Sequence, residues 1–273
     1  MEKREKILII GCGSLGYSIV QVFKSKKKKI LVVENNKSNF DLLKKESGKY
    51  FSVFRNLKEI KWDDIKYLMI CVKPKDIHHL LNILKDYINK STTIISFVAG
   101  IKLKTIKTNL GLKNRVIRFM PNLSIKYGQS ITAVYSNNIV SKEKIKISDY
   151  FGFFGTIVWL KKEEDIDFFT AFFGGGPAYI SLILEHLQNI LKKRQIKEID
   201  SNILVLKLLE NTLNYIKKEK ISFLGLIKRV ASKGGTTQQG LDFLKKRSQL
   251  NLLLSTAIKK AELQSVKMSK KKD

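Results

Sequence analysis

Residues 7–25 read ILIIGCGSLGYSIVQVFKS: a four-residue apolar run passes through three glycines straight into an amphipathic segment. The spacing G-x-G-x-x-G, at Gly11, Gly13 and Gly16, constrains the fold more than any other stretch of the chain. In a strand–turn–helix unit the first glycine permits the tight turn, the second lets a pyrophosphate reach bare backbone, and the third lets the helix pack closely on the strand. The phosphates would sit on the helix N-terminus near Ser14 and Leu15, where free N–H groups and the positive end of the helix dipole point. A unit of this kind requires parallel strands beside it, and the rest of the first half supplies them.

Short continuous apolar runs recur at 30–33, 50–54, 67–72, 92–98 and 115–120, separated in several places by helix-length amphipathic stretches such as SIVQVFKSK and DIHHLLNILKDYI. Runs that are apolar at every position, rather than at alternate ones, predict strands covered on both faces. ITAVY and TIVWL add two more. Beyond about residue 161 only helical periods remain, as in AYISLILEHLQNILKK, ILVLKLLENTLNYIKK and LNLLLSTAIKKAELQSV. The expected organisation is an α/β dinucleotide-binding domain over 1–160 followed by a helical domain over 161–273. Several of the later helices are apolar around more than half their circumference, which predicts a partner subunit.

Glu34 ends the second strand, where an acid hydrogen-bonds the adenosine ribose 2′-hydroxyl and opposes a 2′-phosphate. This leans toward NADH, while Asn35, Asn36 and Lys37 leave NADPH open as a second cofactor. The formal net charge of +28 raises nucleic acid as a partner. Of the 52 basic residues, however, forty-five are lysines spread over the whole length and seven are arginines. Base and phosphate readers use clustered arginine forks, so the lysines read as a solvated surface and specific nucleic-acid binding is not expected. Cys12 and Cys71 lie far apart in apolar runs and suggest neither a disulfide nor a zinc site. His78, His79 and His186 stand outside any motif and read as surface or packing residues, and no metal is expected. MEKREK followed by four apolar residues is no signal peptide. The uncharged stretch 168–184 is short for a bilayer and is broken by GGGP, so a cytoplasmic protein without a membrane partner is predicted.

A second glycine cluster, SKGGTT at 232–237, lies between two segments of helical period. Adjacent glycines cost a helix interior about 0.8–1.0 kcal/mol each. Placed just before a helix starting near Gln238, they would expose the orphan N–H groups of its first turn to a small anion. A helix C-cap followed by a threonine N-cap is the structural alternative.

Read together, these segments resemble the pyrroline-5-carboxylate reductase family. The resemblance rests on Asn56 after the third strand, Val72-Lys73-Pro74, SFVAGI with Ser96, Ala99 and Gly100, RFMPN from Arg118 to Asn122, Asp167 with Thr170, GGGPAY from Gly174 to Tyr179, and SKGGTT, all in family order. All three prolines of the chain, Pro74, Pro121 and Pro177, fall inside these motifs. The resemblance implies a Rossmann-type, mostly parallel sheet followed by an all-helical dimerisation domain, a homodimer or assembly of dimers, and NAD(P)H-dependent reduction of the cyclic imine 1-pyrroline-5-carboxylate to L-proline.

It also implies the site. Asn56, Val72, Lys73, Pro74, Ala99, Gly100, Met120, Pro121 and Asn122 join the first glycine cluster around the cofactor. Ser232, Gly234, Gly235 and Thr236 take the substrate, and Thr237 stands beside its nitrogen as the catalytic residue. The sequence departs from the family at Lys233 (usually proline), Gly175 (serine), Leu123 (threonine) and Ser130 (glycine). These departures leave a non-catalytic or altered-substrate relative as the alternative.

Overall fold

The computed structural model describes residues 6–111, 114–246 and 249–270. Strands β1 (Lys6–Ile10), β2 (Ile30–Val33), β3 (Phe51–Phe54), β4 (Ile65–Ile70), β5 (Thr93–Ser96), β6 (Val116–Met120), β7 (Ser130–Tyr135) and β8 (Gly155–Trp159) form one sheet in the order β3-β2-β1-β4-β5-β6-β7-β8. Neighbours from β3 to β6 are parallel, β7 runs antiparallel to β6, and β8 is parallel to β7. Helices α1 (Ser14–Ser25), α2 (Lys37–Glu46), α3 (Ile77–Leu84), α4 (Leu103–Leu110) and α5 (Ser141–Phe151) lie in the connections.

The period-two geometry of a strand explains why the apolar runs are unbroken. Ile7 and Ile9 face one core with Ile19, Val20 and Phe23 of α1 and Phe151 of α5. Their neighbours Leu8 and Ile10 face the other, with Ile77, Leu81 and Leu84 of α3 and Ile106 of α4. Each fully buried side chain of this type contributes about 1.5–3 kcal/mol.

The chain divides into two compact units, one running through Gly174 together with the residues from Ala261 onward, the other Gly175–Lys260. Helix α6 (Asp165–Phe169) and a π-helical turn at Thr170–Gly174 therefore pack with the sheet unit. In that unit the Ser265 hydroxyl donates to Asp167 Oδ1 at 2.6 Å.

The second unit contains α7 (Gly176–Lys193), α8 (Glu198–Glu219), α9 (Phe223–Val230), α10 (Thr236–Lys245) and the first part of α11 (Gln249–Lys270). Pro177 sits in the first turn of α7, where its missing N–H leaves no bond unmade. Among the described residues of this unit only Ser201 and Val205 are buried, while Ile203, Leu206, Leu208, Phe223 and Leu253 stand exposed. Apolar helices with so little core of their own call for another surface to cover them. The helical run Asp165–Lys193 is also long and apolar enough to cross a bilayer by length and composition alone.

Candidate active site

The glycine loop follows the predicted division of labour. Gly11 has φ +85°, and a Cβ there would stand 2.8 Å from Val72 Cγ1. A Cβ on Gly16 would overlap the Gly11 carbonyl oxygen, so α1 seats on the strand only because residue 16 has no side chain. Gly13, at the N-cap of α1, is exposed and has no atom within 4 Å of where a Cβ would point. That open ground lies at the start of a twelve-residue helix, as a phosphate cradle requires.

Glu34 lies immediately after β2, and both of its oxygens have main-chain partners. Its carboxylate is buried, with Oε2 accepting from Cys12 N at 2.6 Å and Oε1 from Asn36 N at 2.7 Å. Oε2 thus braces the turn that carries the glycines, and Oε1 the turn that leads into α2. Burial, with Glu34 and Glu46 adding to it, pushes the Cys12 thiol up to about 12. Cys71, half-buried beside the same loop, is likewise raised by burial.

Beside the loop a cavity of about 570 Å³ opens at the carboxyl ends of β1, β2 and β4. Gly11, Asn35, Asn56 and Val72 line it, together with Arg55, Lys58, Asp76, His79, Leu80, Ile83 and Tyr87, of which the sequence reading named only His79, as a surface or packing residue. His79 is therefore a wall residue rather than a bystander. The last five recur at helical spacing along α3 and its flanks, a periodicity that could have marked them. Arg55 lies over the Phe40 ring at 5.1 Å, and Glu59 Oε1 accepts from Arg55 N and Asn56 N at 3.2 and 2.9 Å.

The other expected cofactor residues cluster at the same sheet edge. Lys73 caps a short 3-10 turn opened by Pro74. Gly100, with φ +73°, lies after β5, and the last turn of α11 comes against it, Met268 and Ser269 standing 3.5 Å from its Cβ direction. Ala99 is half-buried. After β6, Met120, Pro121 and Asn122 enter a 3-10 turn at Leu123–Tyr127. The Asn122 loop is tied to β7: Asn122 N donates to Ser130 Oγ at 3.0 Å, and Ile131 N donates to Asn122 Oδ1 at 3.3 Å. Ser130, one of the departures from the family pattern, thus acts as a loop brace.

In the second unit the structure corrects the helix start. α10 begins at Thr236, two residues before the expected Gln238, so Thr236 and Thr237 lie inside its first turn and Gly235 is the N-cap. Gly235 N donates to Ser232 O at 3.0 Å, and a Cβ on residue 235 would crowd the Ser232 hydroxyl. Gly234 adopts φ +74°, a conformation disfavoured for other residues. Among the described residues no side chain caps this helix, and Ser232, Gly234, Thr236 and Thr237 are exposed. The first-turn N–H groups and two hydroxyls are therefore presented together.

Comparison with known proteins now decides the family. Residues 163–268 match the family described as pyrroline-5-carboxylate reductase dimerisation, and residues 6–100 match NADP oxidoreductase coenzyme F420-dependent. A pyrroline-5-carboxylate reductase of Staphylococcus aureus (strain COL) is 33% identical over 77% of both chains. The chain belongs to the pyrroline-5-carboxylate reductase family. A second reductase of this family, from Staphylococcus haemolyticus, is 28% identical over 98% of this chain and 99% of its own. The pyrroline carboxylate reductase of Plasmodium falciparum, solved with NADP bound, superposes with a TM-score of 0.80 at 25% identity, covering 98% and 99% of the two chains. Within the family frame, the glycine loop and its cavity fall in the first matched region, and the Gly234–Thr237 turn falls in the second.

Proposed function

We propose that the chain reduces 1-pyrroline-5-carboxylate to L-proline with a nicotinamide dinucleotide as donor. The observation that carries this reading is the exposed, uncapped first turn of α10, an anion seat of bare amides beside two threonine hydroxyls, in a chain whose sheet unit carries an open glycine loop. When bound, the dinucleotide supplies a hydride to the imine carbon. The protonated imine is already electrophilic, so the protein needs to hold and orient it rather than provide a strong acid. The N–H groups of Thr236 and Thr237 hold the carboxylate, Ser232 and Thr236 add hydroxyl contacts, and Thr237 orients the ring nitrogen and helps to keep its proton in place.

Gly11, Gly13, Ser14, Leu15 and Gly16 fit a pyrophosphate, because the Cβ space at residue 13 is empty and the helix end is free. In open α/β sheets a dinucleotide lies across the carboxyl ends of the strands at the switch point, here between β1 and β4. We therefore assign the adenosine to the cavity beside Asn35 and Asn56. The nicotinamide falls to the loops at Val72–Pro74, Ala99–Gly100 and Met120–Asn122. The oxygens of Glu34 are engaged by the amides of Cys12 and Asn36, and the cations Arg55 and Lys58 line the adenosine cavity. These residues support our reading of NADPH ahead of NADH, against the lean that Glu34 gives when read from sequence.

The division into a dinucleotide-binding part up to residue 160 and a substrate-binding, dimerising part from 161 is supported by the matched region at 163–268. We propose a cytoplasmic homodimer whose subunits share each active site, with the exposed apolar faces of α7 and α8 covered by the partner. Purified protein mixed with the imine and either cofactor tests the activity: absorbance at 340 nm falls with turnover. Cofactor binding without that fall would replace this reading with a non-catalytic or altered-substrate relative, for which Gly175 and Lys233 are the residues to examine.

A further inference from the structure

Glu163, between β8 and α6, takes no part in the assigned binding sets, yet one of its oxygens serves two elements. Oε1 accepts from Arg118 Nη1 at 2.9 Å and from Leu103 N at 2.8 Å. Arg118 is 4% exposed on β6, in register between Ser96 of β5 and Tyr135 of β7, and lies two residues before Met120. Leu103 opens α4, three residues after Gly100. The N-cap of that helix is Lys102, whose side chain has no acceptor to offer. Glu163 supplies the missing oxygen from sixty residues further along the chain. A single atom thus pins the exit of the Ala99–Gly100 loop to the entry of the Met120–Asn122 loop.

Bonds from a guanidinium to a carboxylate are among the stronger ones in a protein. This one is also exacting, because Arg118 Nε has no partner among the described residues. Tyr135 feels the same charge: burial first, then Glu163 and Glu164, raise its hydroxyl above the ordinary tyrosine range. We infer that Glu163 is a positioning residue that sets the spacing of the two loops at the nicotinamide end of the sheet. The role of the loops rests on the function proposed above; the pinning itself does not.

Removing Glu163 alone strands a buried guanidinium, and a loss of activity would then be uninformative, whereas removing both partners of a buried pair is far better tolerated. The comparison is therefore between the double variants Arg118→Met with Glu163→Ala, and Arg118→Met with Glu163→Gln. They differ in whether an oxygen remains for Leu103 N. Three quantities are measured: amide hydrogen exchange at 99–103 and 120–122 in the free protein, kcat with the imine, and affinity for ADP, which probes the adenosine cavity and the glycine cradle but not the nicotinamide loops.

Relative to the Gln pair, the Ala pair should exchange at least tenfold faster at 99–103 and lose at least tenfold in kcat, with ADP affinity within twofold. Equal exchange in the two pairs, or ADP affinity falling in step with kcat, overturns the inference. Should the double variants not fold, Glu163→Asp keeps the charge, shortens the reach and is judged by the same three readouts. A wild-type chain without imine turnover would sink the proposed function, and the exchange comparison would still decide what Glu163 does.

Discussion

Two glycines three residues apart should fail for opposite reasons when each becomes alanine. At Gly16 a Cβ would overlap the Gly11 carbonyl oxygen and stand 3.1 Å from its carbon and 3.3 Å from Cys71 Cβ. Neither neighbour is the loose end of a flexible side chain, so α1 must lift from β1 by roughly 1 Å, breaking contacts in a layer that includes Ile19, Val20 and Phe23. Overpacking of this kind costs about 1–3 kcal/mol and occasionally more. In a protein of this size that is a fall of roughly 2–4 °C in Tm per kcal/mol. Gly13 has no atom within 4 Å of its Cβ direction, so Gly13→Ala should unfold at the wild-type temperature. Its methyl group would instead occupy the space where a pyrophosphate meets the backbone. A loss of about 1.4 kcal/mol or more in binding, at least tenfold in Kd, is expected. Scanning calorimetry and titration of the dinucleotide, followed by nicotinamide fluorescence, measure both quantities. A Gly13→Ala protein that binds the cofactor like the wild type would refute the cradle, and a Gly16→Ala protein of unchanged Tm would refute the close seating of α1.

Thr237→Val should lower kcat by at least tenfold with cofactor Kd within twofold; steady-state kinetics showing unchanged turnover would remove Thr237 from the mechanism. Replacing Arg55 and Lys58 together by alanine should reduce kcat/KM for NADPH at least tenfold more than for NADH, and an equal loss for both would return the preference to Glu34. Tyr17 donates to Glu46 Oε1 at 2.6 Å, and this bond is the main reason that the carboxyl is held below the usual range. A depressed carboxyl stabilises the fold above its unfolded pKa of about 4.3 and loses that effect as pH falls through its folded value. The stability gap between wild type and Tyr17→Phe, taken from urea unfolding, should therefore hold from pH 7 to about 5 and narrow below about 4; a gap that persists at pH 2 contradicts the assignment. Cys12 and Cys71, both pushed up by burial, should resist thiol reagents at pH 8 until the chain is unfolded, and rapid labelling of the native protein would show that the glycine loop opens.

The inner strands could be read from the sequence because both faces of the sheet are covered there, and burial on two sides leaves an unbroken apolar run such as Ile7–Ile10. The glycine loop was legible for the same local reason: its contacts lie within a few residues. The start of α10 was misplaced by two residues because threonines 236 and 237 are weak helix formers, and their assignment to the first turn depends on Gly235 acting as the cap. His79 read as a surface or packing residue, since one helix gives no sign that β2 and β3 end opposite that face. Glu34 illustrates a subtler limit. Its position was readable, but the direction of its carboxylate depends on the path of the turn at Cys12. Arg118 and Glu163 are 45 residues apart, and no periodicity links a strand residue to a loop residue at such a distance.

The seating of Met268 and Ser269 against Gly100 has a consequence for how the molecule is made. A polypeptide leaves the ribosome from its amino end, so β1 to β6 can pair and close their two cores while the final helix is still being translated. The bend at Gly100 gains its outer wall only when residues 261–270 arrive. A tag fused behind α11, or a trim of its last turn, should then spare the nucleotide cradle near Gly13 and disturb the opposite end of the same groove.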